Sequence, residues 1–164
     1  MEHRVPIHRT YSDSIFNQLL DGDGKKLNIG CGKDHIKGWT NLDRCVDVSP
    51  DVVAEIDGCS LPFSTNCFDH ILASHIFEHV NDLVHLKSEL RRVLKPDGTL
   101  VFVVPYYLSP DAWGCDSHVR AFSMHTFIDE NWVGWEQVSG KLLKIPSRNN
   151  DELSWIYGKY KSGR

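Results

Sequence analysis

Two short segments constrain the fold of this chain more than any other feature: Leu27–Gly32 and Thr40–Asp43. The first predicts a short buried strand that runs into a turn made of two glycines around one cysteine. Glycines let the backbone turn sharply and approach a ligand closely, because no Cβ blocks the way. In an open α/β sheet, ligands bind beyond the carboxyl ends of the strands. A carboxylate at the end of the neighbouring strand, Asp43, is placed there to accept hydrogen bonds from a ribose diol. The pattern therefore predicts a nucleoside-like cofactor.

Composition predicts one soluble domain and excludes several classes of partner. The chain has 164 residues, of which 41% are hydrophobic and 24% charged, as in a globular domain with its own core. A net charge of −4 gives no electrostatic attraction to nucleic acid or to anionic membranes. No apolar run reaches the length of a membrane span, and the first residues lack a secretory signal. Five cysteines without a C-x-x-C pair indicate reduced thiols in a cytoplasmic protein, with no metal centre.

Strand and helix patterns alternate along the chain, which favours an α/β doubly wound, mostly parallel sheet. The expected order is an N-terminal arm and helix in residues 1–24, a cofactor-binding core in residues 25–125, and a C-terminal part in residues 126–164. Further strands are predicted at 52–57, 68–74 and 99–104, helices at 83–94 and 123–132, and a terminal antiparallel strand pair at 135–145 and 153–160.

The first crossover between parallel strands is unusually short. Only eight residues, 33–40, separate Gly32 from Asn41, whereas such crossovers commonly need about a dozen residues that include a helix. The helix expected here is therefore reduced to about one turn or replaced by a loop, and Trp39 is expected to fill the space.

Several motifs occur in an order that resembles a known family. They are Leu27–Gly32, Asn41–Asp43, Asp57 with Leu61–Phe63, Phe68–Leu72, Glu78–Val80 and Arg92–Gly98. Together they resemble a class I S-adenosylmethionine-dependent methyltransferase. The short glycine-to-aspartate spacing and the sequence H-I-F-E-H at 75–79 are similar to a subgroup of small predicted methyltransferases whose first motif continues as G-W-x-N-x-D. The resemblance implies a Rossmann-like sheet of the seven-stranded methyltransferase type, with the shortened first crossover.

The resemblance also implies roles for individual residues toward S-adenosylmethionine. Gly30, Cys31 and Gly32 would pass under the methionine portion and the sulfonium, and Asp43 would hold the ribose hydroxyls. The remaining cofactor contacts would be Asp57 and Gly58 at the adenine, and Ser74 and His75 at the amino-acid end. The third glycine of the fuller motif is missing, and Lys33 is a candidate for the charge that binds the methionine carboxylate.

The acceptor is expected to lie against the long loop at 106–120, which is rich in aromatic residues and histidine. Methyl transfer from a sulfonium needs alignment and exclusion of water, and it needs a base only when the accepting atom loses a proton. Histidine titrates near neutral pH, so the candidates for a base are His75, His79, His118 and His125, and of these His118 and His75 are the predicted catalytic residues. Candidate contacts to a small-molecule or saccharide-type acceptor are Tyr106, Trp113, His118 and Arg120, and Arg120 could instead pair with Asp116.

Other functions fit the same residues less well. The sequence at 75–79 matches the H-x-x-E-H pattern of inverted zincins, but it leaves a strand instead of lying within a helix. A dinucleotide dehydrogenase would need a full G-x-G-x-x-G with a helix behind it. The main alternative is a protein that binds S-adenosylmethionine or S-adenosylhomocysteine without catalysis, or that serves as a partner subunit. The sequence leaves the oligomeric state open, with a homodimer as one possibility.

Overall fold

The computed structural model describes residues 23–127, 135–146 and 152–162. Within these ranges the chain forms seven strands and one α-helix. Their bounds are β1 (Lys26–Ile29), β2 (Thr40–Asp43), β3 (Val52–Val53), β4 (Phe68–Ser74), α1 (Leu83–Val93), β5 (Leu94–Pro105), β6 (Trp135–Pro146) and β7 (Glu152–Ser162). The predicted helix within residues 1–24 and the later part of the helix predicted at 123–132 lie outside the described residues.

The strands form one sheet in the order β3-β2-β1-β4-β5-β7-β6. Strands β1 to β5 run parallel, β7 runs antiparallel to β5, and β6 runs antiparallel to β7. The strand order reverses between β1 and β4, and in open α/β sheets the ligand crevice lies outside the carboxyl ends of the strands at such a point. The predicted α/β sheet with a terminal antiparallel pair is confirmed.

The core lies on the central strands and on one face of α1. Side chains from β1, β4 and β5 are fully buried, because a parallel strand in the middle of an α/β sheet is covered on both faces. Helix α1 begins after Asp82, whose carboxylate accepts a hydrogen bond from the His85 N–H at 2.9 Å. Its last turn carries Arg91 and Arg92, which suit the negative end of the helix dipole.

Two buried asparagines hold the short first crossover without a helix. Asn28 on β1 donates to the Asp34 carbonyl at 2.9 Å and to the Asn41 side-chain carbonyl at 3.1 Å. Asn41 on β2 in turn accepts from the Ile36 N–H and donates to the carbonyls of Ile36 and Trp39. The two amides thus satisfy backbone groups that a helix would have paired internally. Trp39 is half-buried, and the Lys26 ammonium lies 5.6 Å from its ring centroid.

The structure differs from the predicted elements at two strands. β3 ends at Val53 instead of residue 57, because the Glu55 carboxylate accepts from the backbone N–H groups of Ile56 and Asp57 and so competes with sheet pairing. β5 begins directly at the end of α1, and residues 95–98 bulge out before pairing with β4 resumes at Thr99.

Residues 124–127 form a short 3₁₀ turn where the helix at 123–132 was predicted to begin. No helix within the described ranges combines the length and the apolar character needed to cross a lipid bilayer.

Candidate functional site

The turn after β1 is bonded directly to the end of β2. The Cys31 N–H donates to the Leu42 carbonyl at 2.9 Å, and the Gly32 N–H donates to Asp43 Oδ2 at 2.8 Å. Gly30 and Gly32 have φ angles of 65° and 51°, in the left-handed region that glycine tolerates. A Cβ on Gly30 would also overlap Ile76 Cδ1. The glycine turn therefore depends on Gly30 for its backbone angle and for space.

Asp43 lies at the carboxyl end of β2, half-buried, with one backbone hydrogen bond on each oxygen. Oδ2 accepts from Gly32, and Oδ1 accepts from the Cys45 N–H at 2.9 Å. An ionised carboxylate has about four lone-pair positions, so capacity for further donors remains. Burial, followed by the charge of Asp43, raises the pKa of the neighbouring Cys31 thiol to about 11. Cys31 is therefore a neutral, buried thiol between the two glycines.

Asp57 fastens the segment after β3 to the start of α1. Its Oδ2 accepts from the Asn81 backbone N–H at 3.0 Å and side-chain amide at 2.6 Å, and its Oδ1 accepts from the Asp82 N–H at 2.8 Å. These hydrogen bonds, led by that from Asp82, hold the pKa of Asp57 below its ordinary value. The sequence analysis missed this structural role. The adjacent Gly58 has a φ of 67° and open space around its Cα.

The end of β4 carries an unusual backbone conformation. His75 follows Ser74, its N–H donates to the Val103 carbonyl at 2.8 Å, and its φ is 54°. A left-handed conformation costs a non-glycine residue roughly 1–2 kcal/mol. Strain of this kind persists where the surroundings hold it, and it is concentrated at functional sites. His75 Nδ1 lies 3.2 Å from Glu78 Oε1, and the Glu78 side chain is 1% exposed.

The segment after His75 meets the loop after β5. The Val119 N–H donates to the Glu78 carbonyl at 2.8 Å, and the rings of His79 and His118 contact edge-to-face with centroids 4.7 Å apart. His79 Nδ1 lies 3.2 Å from the Ser117 carbonyl oxygen, and His118 Nδ1 lies 3.1 Å from the Ala112 carbonyl oxygen. Burial, with a smaller contribution from His118, lowers the pKa of His79.

Arg120 and Tyr106 contribute to the framework of this loop. Arg120 Nη2 donates to the Asn81 carbonyl at 2.6 Å, and no ion pair joins Arg120 to Asp116. Tyr106 forms an isolated bridge with Phe122, and its ring contacts that of Tyr107.

Trp113 stands apart from the other predicted acceptor contacts on the same loop. It is 70% exposed and donates through Nε1 to the Tyr107 carbonyl at 2.7 Å.

The predicted cofactor residues thus gather at one edge of the sheet. Gly32 bonds to Asp43, and Cys31 between the two glycines bonds to Leu42 on the same strand. Ser74 ends the strand that lies beside β1, and His75 follows it. His118 is brought against the segment after β4 by the chain topology. Sequence reasoning named Glu78 within the motif at 75–79 but missed its burial, and it missed the pair of Glu89 with Arg92. The pair ties α1 to the loop at 61–63, and its signal was an acidic residue in the apolar stripe of the helix.

Residues 27–102 match the family model described as "Methyltransferase domain". A structure of a methyltransferase dependent on S-adenosylmethionine, from Methanosarcina mazei, superimposes with a TM-score of 0.67 at 16% identity, over 92% of this chain and 97% of that one. Residues 27–102 thus match a methyltransferase domain, and the chain as a whole shares the α/β fold of that methyltransferase. The predicted α/β fold is confirmed, and the match supports the predicted family, enzyme class and cofactor, S-adenosylmethionine.

Two further relatives carry different names. Human mitochondrial arginine-hydroxylase NDUFAF5 is 28% identical to this chain over 92 residues, which are 46% of this chain and 27% of the human protein. The chain thus spans about a quarter of the length that this relative has. A complex that contains the Trm112 methyltransferase activator of Haloferax volcanii matches with a TM-score of 0.68 at 18% identity, over 86% of this chain and 83% of that chain.

Proposed function

We propose that this chain binds S-adenosylmethionine in the crevice between the ends of β1 and β4 and transfers its methyl group to a small-molecule or saccharide-type acceptor. The observation that carries the proposal is the hydrogen bond from the Gly32 N–H to the Asp43 carboxylate. This bond sets a turn that can approach a ligand closely beside a carboxylate suited to a ribose diol, at the point where the strand order reverses. The saccharide suggestion rests on the family resemblance.

Within this proposal the cofactor extends along the carboxyl edge of the sheet. Gly30, Cys31 and Gly32 would lie under the methionine portion and the sulfonium, while Asp43 would hold the ribose. The other contacts would be Asp57 and Gly58 at the adenine and Ser74 and His75 at the amino-acid end. Both oxygens of Asp57 already accept protein hydrogen bonds, so its part toward adenine would use its remaining lone pairs.

The acceptor would lie between the end of β4 and the loop after β5. His118 Nδ1 faces a carbonyl oxygen, which can only accept, so the proton sits on Nδ1 and Nε2 keeps its lone pair. Nε2 could then take a proton from the accepting atom, with His75 as the second candidate base. Tyr106, Trp113 and Arg120 would border the acceptor, with Arg120 held by its bond to Asn81.

Calorimetric titration with S-adenosylmethionine and S-adenosylhomocysteine, with NAD as the control ligand, tests the cofactor site. Micromolar binding of both sulfur nucleosides and none of NAD is the expected result. Release of S-adenosylhomocysteine during incubation with pools of small hydroxylated compounds and saccharides then tests the acceptor class. Failure to bind either sulfur nucleoside would overturn the proposal.

The alternative is a cofactor-binding or partner subunit without turnover of its own. It is favoured by the likeness to a complex that contains a methyltransferase activator, and by two exposed valines near the sheet edge, Val46 at 67% and Val53 at 54% exposure. Cofactor binding without methyl transfer to any acceptor, together with turnover on adding a partner protein, would support this alternative.

A further inference from the structure

Three side chains from two separate segments converge at the acceptor end of the crevice. They are Glu78 and His79, which follow β4, and His118, from the loop after β5, and one donor atom of each lies within 4.8 Å of the others. We propose that Glu78, His79 and His118 bind a divalent transition-metal ion. This departs from the expectation of no metal, because the pattern at 75–79 names only residues of one segment, whereas the third donor comes from the far loop.

The state of Glu78 is the observation that points to a cation. Its side chain is 1% exposed, and neither carboxylate oxygen has a hydrogen-bond partner. Burying an ionised carboxylate is costly unless it is paired and hydrogen-bonded. His75 Nδ1 lies 3.2 Å from Oε1, an ion-pair distance when that imidazole is protonated, but the contact does not have hydrogen-bond geometry. A bound cation would supply the missing partner.

The two imidazoles are oriented as metal ligands commonly are. In each ring Nδ1 lies beside a backbone carbonyl oxygen, at Ser117 for His79 and at Ala112 for His118. The Ala112 carbonyl can only accept, so His118 Nδ1 carries the proton and its Nε2 keeps its lone pair. His79 Nδ1 also lies 3.0 Å from the Ser117 hydroxyl, and when this nitrogen donates to the Ser117 carbonyl, Nε2 of His79 is likewise open to a metal ion. Histidines that bind metals almost always donate their other N–H to a carbonyl or carboxylate, which fixes the ring and the tautomer.

The donor set indicates the kind of ion. Two imidazole nitrogens and one carboxylate oxygen suit Zn²⁺, Fe²⁺ or Mn²⁺, whereas Mg²⁺ and Ca²⁺ prefer oxygen ligands alone. Three protein ligands also leave open positions, as in catalytic zinc sites and unlike closed structural ones. His79 and His118 are half-buried, so an external ligand can reach the ion.

The open positions would take an oxygen of the acceptor, and this step rests on the proposed function. An ion bound to a hydroxyl lowers the pKa of that hydroxyl, which then loses its proton to solvent. The oxygen forms a bond to the methyl carbon as the carbon–sulfur bond breaks. The electron pair of the broken bond stays on sulfur, which leaves as a neutral thioether. His118 then acts as a ligand, which leaves His75 as the remaining candidate base.

Titration of the chelator-treated protein with Zn²⁺ and, separately, with Mn²⁺ tests the site. Mn²⁺ is included because it binds thiolates poorly, whereas Zn²⁺ could also bind cysteines elsewhere in the chain. We expect one equivalent of either ion to bind wild-type protein. Glu78→Gln and His118→Gln should each weaken metal binding at least about tenfold. Even the loss of a residue that only hydrogen-bonds to a metal ligand typically lowers metal affinity by that factor. His125→Gln, which changes an exposed histidine outside the cluster, is the matched control and should bind as wild type does.

X-ray absorption of the zinc-loaded wild-type protein gives a test that needs no variant. Nitrogen and oxygen ligands alone support the site, and sulfur ligands overturn it. Equal metal affinity of wild type and both cluster variants would also overturn it.

S-adenosylmethionine titration of the same samples separates the two proposals. Metal binding without cofactor binding would refute the proposed function alone, and cofactor binding without metal binding would refute the metal site alone.

Discussion

Replacing Asp43 with alanine removes the acceptor of two backbone hydrogen bonds and the proposed acceptor for the ribose in one step. The N–H groups of Gly32 and Cys45 each lie within 2.9 Å of an Asp43 oxygen. Cys45 is exposed, so water can replace its bond, whereas Gly32 is buried. The variant should therefore lose stability as well as affinity, and the two losses have to be measured separately.

The expected magnitudes follow from these bonds. Hydrogen bonds to a charged acceptor contribute about 1.5–3 kcal/mol, so cofactor affinity should fall roughly 10- to 150-fold. Leaving the buried Gly32 N–H without a partner costs about 1–3 kcal/mol of stability. In a chain of this length that corresponds to a melting temperature lower by roughly 2–12 °C.

Calorimetric titration with S-adenosylhomocysteine, next to thermal unfolding of the ligand-free protein, measures both losses. Asp69→Ala is the matched control, since Asp69 also accepts a backbone N–H, that of Lys25 at 2.8 Å, and pairs with Lys95. Asp69 is the second residue of β4 and so lies toward the amino ends of the parallel strands, away from the proposed cofactor site. The control should lose stability and keep its affinity. A folded Asp43→Ala protein with unchanged affinity would refute the ribose assignment.

Three further predictions concern the framework of the site. Gly30→Ala should lower the melting temperature by about 2–8 °C, because alanine at a φ of 65° is strained by about 1–2 kcal/mol and its Cβ would overlap Ile76. An unchanged melting temperature would contradict the close approach of the Ile76 side chain to Gly30. Glu89→Gln should be less stable than wild type at pH 7, and the difference should disappear as pH falls below about 4.5. The reason is that hydrogen bonds from Arg92 lower the pKa of Glu89 below the ordinary value of 4.5, so protonation of Glu89 removes the stability that the pair contributes. If denaturant unfolding still shows a difference in free energy between the two proteins in acid, this ion pair is not its source. Cys31, with a pKa of about 11, should resist alkylation at pH 8 while the exposed cysteines react. Mass spectrometry follows the labelling of each cysteine, and early labelling of Cys31 would contradict the burial of its thiol.

The strand positions could be predicted from the sequence because hydrophobic patterning and burial agree along the sheet. β4 has the predicted bounds, 68–74, since its apolar run is closed by polar residues at both ends. β3 was predicted too long because Glu55 bonds its own neighbouring backbone, and a pattern of apolar residues carries no sign of that. The shortness of the first crossover was evident from the spacing. The hydrogen bonds from Asn28 and Asn41 that support this crossover could not be predicted, because a polar residue inside a short strand can have many different roles.

The candidate site was only partly predictable for a different reason. Gly30, Gly32 and Asp43 are close in sequence, and strand order alone brings their segments together. The approach of His118 to Glu78 depends on how the loop after β5 returns across the sheet, and this path follows from many contacts instead of one motif. The local pattern at 75–79 therefore identified two of the three converging side chains and gave no indication of the third.

The segment from His75 to Asp82 is held by its backbone from three directions. Val103 on β5 accepts from its first residue, Asp57 accepts from its last two residues, and Val119 donates to the carbonyl in its middle. These bonds offset the strained φ of His75, and none of them uses a histidine or glutamate side chain of the segment. The His79 side chain adds a contact to Ser117 and packs on His118, whereas the Glu78 carboxylate makes no hydrogen bond. Burial of a carboxylate without hydrogen bonds is costly, and a cation bound between Glu78 and the two imidazoles beside it would offset that cost.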